Sequence, residues 1–384
     1  MIIYSMTINK GGLRRVTESM FKIFDYLEND IEFKIMYFSD SKIEGLDPEK
    51  FIFQKLEEGN PELLTDEGMK FISSQIAEKL KPFNVKRIIF ESSVYRYWKD
   101  FPAKISLDIH ILERPLHQAL TKNPEAVLID EVSPDPFYKL LVQMSLVSMK
   151  LESIAFNKAD HIISNSITTN NDLSKYYKKE VQSKRIDYIP VTTTAKNNSK
   201  NFITSDYSIN PKFYYFGRFH PQKGLHFLFK EDWNWGKLTI KGFDAKLIKT
   251  EKCTNLLKKN IHFLPWSNEQ DDLISELAQF DFILFPSIYE PYGLALTEAL
   301  MLGKICICHD NQSGHNEQVE HMRNGFIIDM KKSDWVDRIK EITQIDRDVL
   351  ETISMNAKNQ VRHTNEFRLS QFAKMIKDLH HDLN

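Results

Sequence analysis

The sequence predicts an α/β protein made of two doubly wound domains, and three observations carry that reading. From Phe213 onward, short and nearly continuous apolar runs alternate with helical patterns. Strands of that kind are buried on both faces, which requires a parallel sheet with helices on each side. The first half repeats the rhythm more loosely, and between Val191 and Pro211 the chain turns polar, rich in Asn, Ser and Thr and without periodicity. A stretch like that reads as a linker.

Taken in order, the strand candidates of the first half are "MIIYSM", "EFKIMYFS", "VKRIIFES", "AKISLDIHI", "EAVLIDEV", "DHIISNS" and "RIDYIPV". Those of the second half are "KFYYFG", "KLTIKG", "NIHFLP", "DFILFP" and "KICICHD", with helices expected over 268–278 and 293–302. The last twenty residues place Phe367, Leu369, Phe372, Met375, Ile376 and Leu379 at amphipathic helical spacing. The apolar stretch "FYKLLVQMSLVSMKLESIAF" reads as a core helix rather than a membrane surface helix, because it carries few cations.

At 384 residues with 42% hydrophobic content, the chain is long enough for two real cores. Lys and Arg total 51 against 53 Asp and Glu, a net charge of -2, so nothing global points to a nucleic-acid partner and any anionic ligand must be met locally. The three cysteines, Cys253, Cys306 and Cys308, have no disulfide-framework spacing, which suits a reducing cytoplasm. Cys306 and Cys308 alternate with Ile305 and Ile307 and read as small core residues. The start lacks a charged segment followed by an apolar one, and no window approaches eighteen uninterrupted apolar residues, so neither a signal peptide nor a membrane span is expected.

The chemistry concentrates in "FPSIYEPYGLALTEAL", where Glu290 and Glu298 stand eight positions apart among apolar and small residues. Pro286 and Pro291 delay the helix to about Gly293. Its N-terminus then points to the carboxyl ends of the strands, where open α/β sheets bind ligands. Free backbone N–H groups and a partial positive charge at such an end favour phosphate, so Gly293, Leu294 and Ala295 are candidate phosphate-facing amides. Glu298, one turn further in on an apolar helix, needs a hydrogen-bond donor. Glu290 is expected at the lip of the crevice. The structural alternative is a helix-capping Glu290 and a lysine-paired Glu298.

A second loop, "YYFGRFHPQKGLHFLF", places Gly217, Arg218, Lys223 and Gly224 after another strand. Arg grips phosphate in a bidentate manner and Lys adds a mobile point charge, so the pair neutralises a diphosphate without a metal; solvated surface charge is the alternative. Near the start, Gly11 and Gly12 open a helix without the G-x-G-x-x-G spacing of a dinucleotide fingerprint. They offer either a close backbone approach to substrate or only a tight turn, with Arg14 and Arg15 beside them.

Together these segments resemble the retaining glycosyltransferases of family 4, through "GGLRRV", "NKADHIISNS" before "IDYIPV", "GRFHPQKG", "EPYGLALTEALMLGK" and "GHNEQVEHMRNGFIID". The resemblance implies the GT-B fold, two Rossmann-like domains facing a cleft. It divides the chain into an acceptor-side domain over 1–195, a nucleotide-sugar domain over 196–362 and a terminal helix, 363–384, packing back on the first domain. It implies that Arg218 and Lys223 bind the donor diphosphate, Glu298 the ribose hydroxyls and Glu290 the sugar hydroxyls. Tyr292 to Ala295 then line sugar and phosphate, with Gly11, Gly12 and Gly217 beside them.

Relatives often place a histidine at a first-domain strand end, facing the donor sugar. Here His110 and the pair Asp130 and Glu131 compete for that place. No metal is implied. The sole Asp-x-Asp, Asp346 and Asp348, follows no strand and reads as a helix start. The expected activity is retaining transfer of a hexose from a nucleoside-diphosphate sugar, a UDP-sugar by preference, to a glycan, lipid-linked or protein acceptor. The expected setting is the cytoplasm, with a peripheral contact at the inner face of the membrane compatible with a lipid-linked acceptor. A nucleotide-sugar epimerase and a non-catalytic partner of another transferase are the competing readings.

Overall fold

A computed structural model describes residues 1–8, 20–28, 31–56, 65–91, 94, 97–98, 106–111, 152–189, 207–217, 223–243, 259–265, 275–361 and 364–382. They fall into two compact units, one holding the described residues up to 189 together with 364–382, the other those from 207 to 361.

In the first unit, β1 (Ile2–Thr7), β2 (Phe33–Ser39), β3 (Phe51–Lys55), β4 (Arg87–Glu91), β5 (Ser106–Ile111), β6 (His161–Ser164) and β7 (Arg185–Tyr188) form a seven-stranded parallel sheet in the order β3-β2-β1-β4-β5-β6-β7. Helix α1 (Asp66–Leu80) is capped by the Thr65 side chain, which accepts from Gly68 N at 3.0 Å. The Ser166 hydroxyl does the same for Thr169 N, at 2.9 Å, at the start of α2 (Ile167–Tyr176), before the short α3 (Lys178–Val181). These caps satisfy helix N–H groups that lack an internal acceptor. Alternate side chains of β1 enter opposite cores, Ile3 with Met69, Ile72 and Ile76 of α1, and Ile2 and Tyr4 with Leu369, Phe372 and Ile376 of the C-terminal helix. Two-residue periodicity therefore produces the double winding.

The second unit contains β8 (Lys212–Phe216), α4 (Leu225–Lys230), β9 (Lys237–Phe243), β10 (Ile261–Pro265), β11 (Phe282–Phe285), α5 (Leu294–Met301), β12 (Ile305–His309), α6 (Gly314–Gln318), β13 (Phe326–Ile328), α7 (Trp335–Thr343) and α8 (Arg347–Val361). Its six-stranded sheet is also parallel, ordered β10-β9-β8-β11-β12-β13. The order reverses between β8 and β11, which pair directly. Loops leaving the carboxyl ends of two such strands diverge to opposite sides and open the ligand crevice of this fold class. Cys306 and Cys308 are buried in β12, and burial pushes both thiols up, away from the reactive thiolate. Asp346 and Asp348 stand at the start of α8, where Leu350 N donates to Asp346 O at 3.1 Å.

Two sequence expectations change here, and a third is not tested. Strands β3 and β13 were not anticipated: β3 is only half-buried along most of its length, and β13 has three residues. The candidate strand "EAVLIDEV" lies outside the described residues. In the C-terminal helix, α9 (Thr364–His381), Phe367 is not a core residue but 53% exposed, whereas Leu369, Phe372, Met375, Ile376 and Leu379 are buried as the pattern requires. Phe367→Ser is accordingly expected to change unfolding free energy by no more than about 0.5 kcal/mol, the range of surface substitutions, measurable by urea titration.

Candidate active site

Two loops at the switch point of the second sheet meet through a glycine. Gly224, the N-cap of α4, has φ of 67°, and a Cβ there would overlap the Pro286 carbonyl oxygen just past β11. Only glycine takes this left-handed conformation and this close approach without strain. The turn carrying Lys223 therefore lies on the start of the β11 loop, and Lys223 Nζ forms an ion pair with Glu290 Oε1. The two side chains come from loops 67 residues apart in sequence.

Glu290, expected at the lip of the crevice, is buried. It is 6% exposed and held by a closed set of hydrogen bonds. Ser287 Oγ donates to Glu290 Oε1 at 3.1 Å, and the Glu290 backbone N–H donates to Ser313 Oγ at 3.1 Å. Ser313 Oγ in turn donates to Asn311 Oδ1 at 2.5 Å, and Asn311 Nδ2 donates to Ser287 O at 2.6 Å. Gly314 N closes the far side on Glu290 O at 2.9 Å. Burial pushes the Glu290 carboxyl up, but the Lys223 ammonium, His315 and the hydrogen bonds from Lys223 and Ser287 outweigh it and hold the carboxyl below its ordinary value. Ser313→Ala removes one acceptor and one donor of this ring. It is expected to destabilise by about 1 kcal/mol and to lower the activity of the site by less than about tenfold, because it acts on Glu290 only through position; melting and initial rates check both.

Helix α5 begins beside the pair. Gly293, its N-cap, has φ of 97° and, being glycine, brings no capping side chain of its own. Its first internal bond is Thr297 N to Gly293 O at 3.1 Å, which leaves the opening N–H groups without intrahelical acceptors. Tyr292, Gly293, Leu294 and Ala295 are partly exposed, whereas the helix from Leu296 to Leu300 is buried. Gln318 of α6 fixes this start: its Nε2 donates to Tyr292 O at 2.5 Å and its Oε1 accepts from Thr297 Oγ1 at 2.6 Å. Glu298 is 5% exposed, one turn inside α5. A cation, a carboxylate and a bare helix N-terminus thus share one edge of the sheet, an arrangement suited to a phosphate ester bearing a hydroxylated group.

Residues 199–360 match the family described as glycosyl transferases group 1. The match lies within the second unit and covers less than half of the chain. Over 128 residues the chain is 32% identical to a UDP-Gal:alpha-D-GlcNAc-diphosphoundecaprenol alpha-1,3-galactosyltransferase of Escherichia coli, an alignment covering 33% of this chain. It spans about a third, 31%, of that relative's length. Among solved structures, a sucrose-phosphate synthase from Thermosynechococcus elongatus superposes with a TM-score of 0.73 at 14% identity, covering 99% of each chain. The Anabaena protein HepE, solved in complex with UDP and glucose, gives 0.64 at 18% identity over 98% of this chain and 99% of its own. The fold is therefore GT-B, with parallel α/β sheets in both units.

Within the second unit, the structure brings Lys223, Glu290, Tyr292, Gly293, Leu294, Ala295 and Glu298 to one edge of the sheet. Gly217 follows β8, its N–H donating to Lys241 O at 3.2 Å. Arg218, Gly11, Gly12, Asp130 and Glu131 lie outside the described residues. His110 is in β5, in register with Glu91 and Ile163. Sequence reasoning missed Ser287, Asn311, Ser313, His315 and Gln318. For all of these but Ser287 the signal was a run of polar residues directly after the buried strand β12.

Among the described residues, no helix is long and apolar enough to cross a membrane.

Proposed function

We propose that this protein is a retaining, metal-independent glycosyltransferase that moves a hexose from a UDP-sugar to a hydroxyl of a glycan, lipid-linked or protein acceptor. The observation that carries the reading is the Lys223–Glu290 pair beside the open N-terminus of α5, in a domain of the matching family. The UDP preference is supported by the UDP-dependent galactosyltransferase that the chain resembles and by UDP bound to the HepE fold.

In this reading Lys223 and the α5 amides, with Arg218, hold the diphosphate. Glu290 exchanges its lysine for sugar hydroxyls, and Glu298 accepts from the ribose. As the bond from the anomeric carbon to the diphosphate breaks, its electron pair goes to the leaving phosphate oxygen, while the acceptor oxygen bonds to the anomeric carbon on the same face and its proton passes to that phosphate oxygen. Fixed positive charge at that oxygen stabilises the transition state, and orientation of the acceptor supplies much of the remaining rate. The cationic edge fills the role that a divalent metal would otherwise take.

The test is a thermal-shift screen against UDP-, GDP- and ADP-sugars, followed by product analysis with EDTA present. Stabilisation by UDP-sugars and transfer with retained anomeric configuration, read by proton NMR, are expected. An isomeric sugar nucleotide formed without acceptor would establish an epimerase instead, and stabilisation by none of the three classes would overturn the donor assignment.

A further inference from the structure

The site contains a buried group to which neither the resemblance nor the mechanism above gives a role. His315, on α6, is 1% exposed, and its Nδ1 is buried without a hydrogen-bond partner. An unmet polar atom of that kind is destabilising, and an apolar side chain of similar shape would avoid it. The ring does not sit elsewhere in the core. Its Cδ2 and Nε2 edge lies against the start of α5, so closely that a Cβ on Gly293 would come within 2.5 Å of both atoms. Phe285 covers it edge-on, with ring centroids 5.5 Å apart.

The groups that act on His315 electrostatically come from three elements: Glu290 in the loop after β11, Lys223 in the turn before α4, and His309 at the end of β12. Gly293 and Phe285 complete the surroundings with backbone and an apolar ring. Burial, reinforced by Lys223 and His309 and opposed by Glu290, keeps the imidazole neutral, pushed down to about 4. In this state the Lys223 charge is engaged by Glu290.

An anionic diphosphate at the α5 N-terminus changes both conditions. It draws Lys223 away from Glu290, and it sets negative charge against the ring edge that lies on Gly293. An opposite charge within about 4–6 Å favours the charged form of a titratable group, and a low-dielectric setting strengthens the effect. We infer that His315 is a donor-binding residue that takes up a proton when the diphosphate of a nucleotide sugar docks, adding a cation that the ligand-free site does not hold. The inference rests on the proposed donor chemistry and adds to it a proton linkage of this chain's own.

The sign follows from that linkage. A group whose pKa rises on binding makes the complex tighter as pH falls below its bound-state value, by up to about tenfold per pH unit, until pH reaches its free-state value. The two phosphates of a nucleotide sugar are both esterified at their outer ends and lack the ionisation near pH 6 of a phosphate monoester. Any proton taken up therefore belongs to the protein.

The experiment is calorimetric titration of the full chain with UDP-glucose, ADP-glucose and GDP-mannose in buffers of different ionisation enthalpy, from about pH 8 to about pH 6. Wild-type protein is expected to take up as much as one proton per bound donor and to bind more tightly at the lower pH. His315→Gln should still bind but without uptake and without the pH dependence, while His226→Gln keeps both. Uptake that persists in His315→Gln, or donor binding by wild type without uptake, would overturn the inference and leave the donor assignment standing. Binding of none of the three donors would instead overturn the donor assignment. Should His315→Gln fail to fold, histidine-labelled wild type supplies the readout. The imidazole with contacts to Phe285 must change to the imidazolium shift on adding donor, and an unchanged resonance refutes the idea.

Discussion

Lys223→Ala is expected to lower sugar transfer by about 100-fold or more, the scale observed when a group that stabilises transition-state charge is removed. That corresponds to roughly 2.7 kcal/mol of lost stabilisation. The same substitution leaves Glu290 buried with its counter-charge gone, and breaking a buried pair from one side costs about 3–5 kcal/mol unless the remaining group neutralises itself. Activity and melting must therefore be measured together. A double variant, Lys223→Met with Glu290→Gln, separates the two effects. It replaces the ion pair by uncharged groups of similar size, so it should recover most of the stability lost in Lys223→Ala and none of the transfer. Recovery of transfer would remove Lys223 from the chemistry, whatever its part in the fold. Lys223→Arg keeps the charge but changes its shape, and it is expected to fall between wild type and alanine, since a planar fork does not occupy the place of a compact ammonium.

How much of this was legible in the sequence depended on what kind of signal each feature leaves. Buried parallel strands announce themselves as apolar runs, and "DFILFP" and "KICICHD" became β11 and β12 with little displacement. Strand β3, "FIFQK", mixes half-buried residues with a polar end, and β13 is three residues long, so neither rises above a loop in a single sequence. Lys223 and Glu290 were each readable as charged residues following strands. Their pairing was not, because it depends on β8 lying next to β11 with β9 and β10 diverted to the other side, a matter of strand order that local pattern does not encode. The degree to which Glu290 is buried was not legible for the same reason. A carboxylate in a Pro-flanked loop looks solvated until the chain from Asn311 to Gly314 closes over it.

Glu290→Gln is the companion prediction, with transfer expected to fall by about 100-fold as the charged acceptor for sugar hydroxyls is lost. Its stability signature has a defined sign. The folded carboxyl is held below its ordinary value of 4.5, so its charge contributes stability at pH values above that figure, and the contribution is lost as pH falls through the folded value. Urea titrations of wild type and Glu290→Gln should therefore differ most near neutrality and converge in acid. A gap that stays constant down to the lowest pH at which both fold would mean that the Lys223 pair does not hold the carboxyl. The ligand-free pair also makes a prediction about binding. A donor must displace Glu290 from Lys223 before its phosphate gains the lysine, so the pair competes with every anion that enters. Glu290→Gln frees Lys223 from that competition. UDP, which has no sugar hydroxyls to offer Glu290, should bind Glu290→Gln at least as tightly as wild type, although the same variant transfers sugar far more slowly. Weaker UDP binding together with lost transfer would place Glu290 on the nucleotide rather than on the sugar. Tighter UDP binding with lost transfer assigns it to the sugar, and makes the exchange of its lysine for hydroxyls the step by which the site distinguishes a loaded donor from a spent one.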